Sequence, residues 1–130
     1  MFVLLFGISS VLITCKKDET SDNVNSTPIQ TDFIGPWTVS SGACGGYTMG
    51  VTAAGNTLTI TNFHSTFTIT ATSSGTSMTI PLQTVSSAAP GGPLTFQGSG
   101  SLSTPSDMTF SYSRKDTSGA TINCSATATK

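Results

Sequence analysis

From Asp32 onward, apolar residues alternate with Thr or Ser almost without interruption. A repeat of two puts successive side chains on opposite faces of an extended backbone, so this part of the chain reads as β-strands. Eight runs carry the pattern: Trp37–Val39, Tyr47–Val51, Thr57–Thr61, Thr66–Thr72, Ser77–Leu82, Leu94–Phe96, Met108–Tyr112 and Ile122–Ala128. No helical repeat appears among them. The runs are separated by short stretches rich in Gly, Ser, Asn and Pro, such as Ala54-Gly55-Asn56 and Ser73-Ser74-Gly75. Connections that short join only antiparallel neighbours, which makes a meander. One face of the strands is apolar (Trp37, Met49, Leu58, Ile60, Phe67, Ile69, Met78, Ile80, Phe96, Phe110, Ile122) and the other is almost all hydroxyl.

Alternation of this kind suits a sandwich or a barrel. An eight-strand meander that closes first strand to last removes its edges, so the expected fold is all-β: a compact eight-stranded antiparallel up-and-down barrel over residues 32–130. The cysteines support closure. Cys44 follows the first strand, and Cys124 lies in the last on the same inward parity as Ile122 and Ala126. In an oxidising compartment they are expected to pair. A bridge closing a loop of that length stabilises by roughly 4 kcal/mol.

Residues Phe2 to Ile13 are apolar apart from Gly7, Ser9 and Ser10, and the first charge is Lys16. That is short of the ~20 residues needed to span a bilayer but matches the apolar stretch of a signal peptide. It ends in Leu12-Ile13-Thr14-Cys15, which resembles the lipobox of bacterial lipoproteins; the resemblance implies a leader over 1–14, cleavage before Cys15 and lipid on its thiol. Lys16-Lys17-Asp18-Glu19 resembles the export tag of surface-exposed lipoproteins, which implies the outer membrane, facing outward. Residues 15–31 are polar and contain Pro28, so they read as a flexible lipidated tether. Gly35-Pro36-Trp37 has the G-x-W form that opens lipocalins, where the Trp closes the barrel floor, and Gly35 to Val51 is similar to the opening of small bacterial β-barrel inhibitors of secreted metalloproteases.

Composition narrows the chemistry. Charged residues are 8% of the 130-residue chain, six acids nearly cancel five bases, and there is one histidine. A basic nucleic-acid face is excluded, and no nucleic acid partner is expected. His64 has no serine and acid at a recognisable spacing, so it reads as a solvated turn residue, and scattered Asp32, Asp107 and Asp116 suggest no metal cluster. No cofactor and no catalytic activity are expected. Arg114-Lys115-Asp116 is the one charge concentration of the domain; it reads as a solvated hairpin tip or a contact point for an anionic partner. The Thr rows read as a β-favouring solvent face, although hydroxyl faces also meet glycans and ice. Inward aromatics should fill the interior and leave at most a shallow mouth pocket. The expectation is a monomeric, membrane-anchored, non-catalytic module for a small apolar ligand or a glycan, with Trp37, Tyr47 and Arg114 as candidate contacts; the alternative is an envelope protease inhibitor.

Overall fold

The computed structural model describes residues 29–40, 42, 44–86 and 92–130. The stretch read as a leader, Cys15, and the stretch read as a tether up to residue 28 lie outside these residues. Eight strands follow one another in chain order around a closed barrel: β1 (Gly35–Val39), β2 (Tyr47–Ala54), β3 (Thr57–Phe63), β4 (Phe67–Ser74), β5 (Ser77–Val85), β6 (Leu94–Thr104), β7 (Asp107–Lys115) and β8 (Thr121–Thr129). Every neighbouring pair is antiparallel, including the closing pair β1 and β8. The meander is therefore as the short connections indicated, and its closure is as expected for an eight-strand meander that removes its edges.

The interior is filled by side chains of the inward parity. Trp37, Met49, Leu58, Ile60, Ile69, Met78, Ile80, Phe96 and Phe110 are buried, joined by Phe33, Phe63, Leu102 and Met108. Ile122 departs from expectation: although it shares parity with Cys124, it is 42% exposed. Its partner in register is Arg114, so it sits one step beyond the core, at the rim. The outward positions carry hydroxyls, the inverse of a membrane-spanning barrel, whose outer band must be apolar.

One strand is much longer than its pattern. The sequence marks only Leu94–Phe96, but β6 continues to Thr104. Its next two inward positions after Phe96, before Leu102, are Gly98 and Gly100, which supply no apolar signal. They are required by close approach. A Cβ on Gly98 would lie 2.7 Å from the Cα of Tyr112, and one on Gly100 would lie 2.6 Å from Met78 Cε and 2.8 Å from Phe110 Cβ. The glycines let β7 bend tightly over β6 and bring its aromatic side chains into the centre.

The two ends differ. The hairpins β2–β3, β4–β5 and β6–β7 lie at the end where β1 begins, and a 3-10 helix, Gln30–Phe33, closes it. This helix lies outside the eight runs and includes Gln30 and Thr31, the last two residues of the stretch read as a tether. It is held by Gln30 Nε2 donating to Ser73 Oγ at 2.7 Å and to Asn56 Oδ1 at 3.0 Å. Trp37 is fully buried beneath it, with Nε1–H donating to the Phe33 carbonyl at 2.8 Å. Lys130 Nζ lies 4.7 Å from the Trp37 ring centroid and donates to the carbonyls of Asp32 and Ile34. The G-x-W tryptophan is thus a floor residue.

Two seams are thin. β1 and β8 share the pairs Thr38↔Thr129 and Val39↔Ala128, extended by Ser40 N–H donating to the Thr127 carbonyl at 2.8 Å. β4 and β5 pair from Thr72↔Thr79 to Ser74↔Ser77. Toward the other end the Gln83 side chain substitutes for backbone: its Oε1 accepts from Thr70 N–H at 2.9 Å and its Nε2 donates to the Thr70 carbonyl at 2.7 Å.

Candidate binding surfaces

The end opposite the floor, where β1, β3, β5 and β7 end, is the mouth. Cys44 and Cys124 are bridged there, with Cα atoms 5.7 Å apart. A tier of aromatics seals the interior below: Phe63 packs at 4.6 Å from Tyr112, 5.5 Å from Phe96 and 6.3 Å from Tyr47, centroid to centroid.

Over this tier, the β3–β4 turn crosses the opening. Asn62 (φ 55°), His64 (φ 50°) and Ser65 (φ 69°) all adopt left-handed backbone. Such conformations in non-glycine residues cost about 1–3 kcal/mol each and persist only where the surroundings fix them. Here Asn62 Nδ2 donates to the Thr48 carbonyl at 2.5 Å. The distorted turn carries His64 to β7 on the far side of the barrel. Its Nδ1 lies 2.8 Å from Tyr112 Oη, and Arg114 Nη1 lies 2.9 Å from its Nε2.

These contacts fix the tautomer. A guanidinium only donates, so Nε2 accepts, and a neutral imidazole then carries its proton on Nδ1 and donates it to Tyr112. The order of donation runs Arg114 to His64 to Tyr112. Burial first, and then the Arg114 charge, hold the His64 pKa below its ordinary value. Burial likewise raises the Tyr112 and Tyr47 hydroxyls. Tyr47 Oη is sealed from solvent and makes no hydrogen bond of ordinary geometry among the described residues, although the Tyr112 hydroxyl acts on its ionisation.

Two sequence expectations are corrected here. His64 is not a solvated turn residue but half-buried and bonded through both ring nitrogens. Arg114 does not sit at a hairpin tip; it lies within β7, while Asp116 organises the β7–β8 turn by accepting from Ser118 N–H and Ala120 N–H at 2.9 and 3.1 Å. Barrel closure gathers Cys44, His64 and Cys124 with donor atoms within 4.8 Å of one another, although no spacing suggests it. With the sulfurs bridged and both imidazole nitrogens engaged, the trio offers no thiolate to a metal. Of the proposed contacts, Tyr47 and Arg114 meet at the mouth, whereas Trp37 lies at the floor and touches no surface. The partners that link them, His64 and Tyr112, carried no spacing signal.

The second surface is the outer face of β5–β8. Register aligns its hydroxyls into ranks that run straight across four strands. Ser77, Ser101, Thr109 and Thr127 form one, and Thr79, Ser99, Ser111 and Ser125 form the next. At a strand spacing of about 4.8 Å, each rank spans roughly 14 Å, and the two lie roughly 7 Å apart. All eight side chains are exposed. They line an open groove of about 740 Å³. A second depression beside it, near Gln97, Ser113 and Asn123, shares Ser111 and Ser125 with the first. Neither is lined by a charged residue. The chain matches no protein-family model, no curated protein and no solved structure.

Proposed function

We propose that this protein is a lipid-anchored, non-catalytic binding module of the bacterial outer membrane, facing outward, and that the outer face of β5–β8 docks a neutral polysaccharide. The observation that carries the reading is the pair of hydroxyl ranks held in register across four strands within an uncharged groove. A hydroxyl both donates and accepts, as a sugar hydroxyl does, so each can answer the other without a fixed polarity. One such bond contributes about 0.5–1.5 kcal/mol net. A single sugar making two or three of them binds weakly, and a polymer that engages many positions gains by multivalency. The filled interior turns the site from the barrel's inside to its outside.

The address rests on residues beyond those described: the apolar stretch ending at Cys15 and the polar run after it. Lipid on Cys15 and a tether would leave the hydroxyl face free to turn toward extracellular polymer. Labelled palmitate fed to expressing cells should enter the wild type and not Cys15→Ser; equal labelling refutes the anchor. For the binding face, native electrophoresis of the full chain in gels containing amylopectin, mannan or mixed-linkage β-glucan should show retardation by at least one polymer. Ser111→Arg, which places a large charged side chain in the middle of the ranks, should abolish it. Unretarded migration in every gel, or an undiminished Ser111→Arg, overturns the proposal.

A further inference from the structure

The mouth carries a cation with no ion pair among the described residues. Arg114 is half-buried, gives one N–H to His64 Nε2 and has no carboxylate partner among the described residues. Asp116, two residues on, feels the guanidinium, but its Oδ1 is taken by Ser118 and Ala120. Lys115, on the opposite parity, is exposed and turned outward. A guanidinium has five N–H groups in a planar fork, and among the described residues one of them is engaged, by His64 Nε2. Removing such a group from water without an anion is unfavourable, and a protein needing only structure there is better served by an apolar side chain.

The surroundings are arranged around that charge. His64 presents a lone pair rather than a proton to Arg114 and so orients the fork without neutralising it. His64 is itself in left-handed backbone, between left-handed Asn62 and Ser65, in a turn anchored by Asn62 on the Thr48 carbonyl. The Tyr47 hydroxyl lies within the same cluster, sealed from solvent, with the His64 backbone and the Tyr112 hydroxyl acting on it. Around it, the inward-parity rim residues are apolar: Ile122 pairs with Arg114, and Val85 pairs with Leu94.

We propose that the barrel mouth is a second binding site, for a small carboxylate attached to a compact apolar body. The carboxylate would accept from the Arg114 guanidinium, in the bidentate geometry that a guanidinium favours. The apolar body would cover Ile122 and the Val85–Leu94 pair. This site is independent of the hydroxyl face, since it lies at the end of the barrel and recognises charge.

His64 is the one histidine of the chain, so its ring carbon–proton resonances report on the mouth without ambiguity. The probe is benzoate, titrated into the full chain in detergent at constant ionic strength, with benzamide as the uncharged isostere. Benzoate should shift the His64 resonances saturably and benzamide should not. Arg114→Gln should weaken benzoate at least tenfold while the Trp37 emission stays at its wild-type wavelength, and Arg114→Lys should bind with intermediate strength. No saturable shift with benzoate, an equal shift with benzamide, or undiminished binding by folded Arg114→Gln overturns the site. Tighter binding of inorganic phosphate than of benzoate overturns the ligand class. If Arg114→Gln does not fold, the wild-type comparison and the lysine variant decide.

Discussion

Replacing both bridged cysteines, Cys44→Ser with Cys124→Ser, tests how the barrel is held closed. The pair is separated by 80 residues, so the bridge ties nearly the whole domain into one loop. Restricting the unfolded chain over such a loop is worth about 4.5 kcal/mol at 25 °C. A domain of about a hundred residues has roughly 5–15 kcal/mol of stability in total, so the bridge supplies a large fraction of it. The structure adds a local reason for sensitivity: the cross-link joins the β1–β2 connection to β8, beside a seam with two paired residues on each strand. Urea unfolding followed by the single tryptophan should give a stability lower by about 3–5 kcal/mol for the variant. Its m-value should be larger, because the uncrosslinked unfolded chain exposes more surface. Hydrogen exchange should show the amides of Thr38, Val39 and Ser40 losing protection before those of β7. A stability change under about 1 kcal/mol, or loss of protection spread evenly over all strands, would refute the reasoning.

Trp37→Ala should cost about 3–5 kcal/mol through the cavity it leaves, and Trp37→Phe, which orphans the Phe33 carbonyl, about 1–3 kcal/mol; chemical denaturation followed by far-UV circular dichroism measures both. Gly98→Ala should destabilise by about 1–3 kcal/mol or more, since the new Cβ meets the β7 backbone rather than a movable side chain. Gln83→Ala should unzip the upper β4–β5 seam, visible as faster exchange at Thr70 N–H, with a loss of about 1–2 kcal/mol. The histidine predicts a pH effect. Its folded pKa lies below the unfolded value, so between the two the unfolded chain binds the extra proton; the stability it contributes is complete above about pH 6.5 and is lost as the pH falls below that. Urea midpoints compared at pH 7.5 and pH 5 should show this, and His64→Gln should flatten that limb.

Strand number, order and most of the core were legible because Thr and Ser alternate with apolar residues so regularly that parity alone assigns Leu58, Ile60, Phe67 and Ile69 inward. The bridge was legible because parity and closure point to the same two cysteines. What escaped has a common cause. Gly98 and Gly100 are inward residues without side chains, so β6 seemed to stop at Phe96. Gln83 acts as backbone, which no periodicity encodes. His64, Tyr112 and Arg114 meet only because the β3–β4 turn crosses the barrel; their sequence separations of 48 and 50 carry no local signature. Ile122 kept the right parity but lies beyond the last filled layer, where parity no longer means burial.

The hydroxyl face of β5–β8 is most directly tested by backbone amide spectra of the full chain titrated with a soluble polysaccharide that retards it in the gels. The account predicts saturable shifts concentrated at Ser99, Ser101, Thr109, Ser111 and Ser125, unaffected by added salt, with the outer face of β2 and β3 unchanged. Shifts confined to the mouth, or spread evenly over every threonine of the barrel, would contradict it.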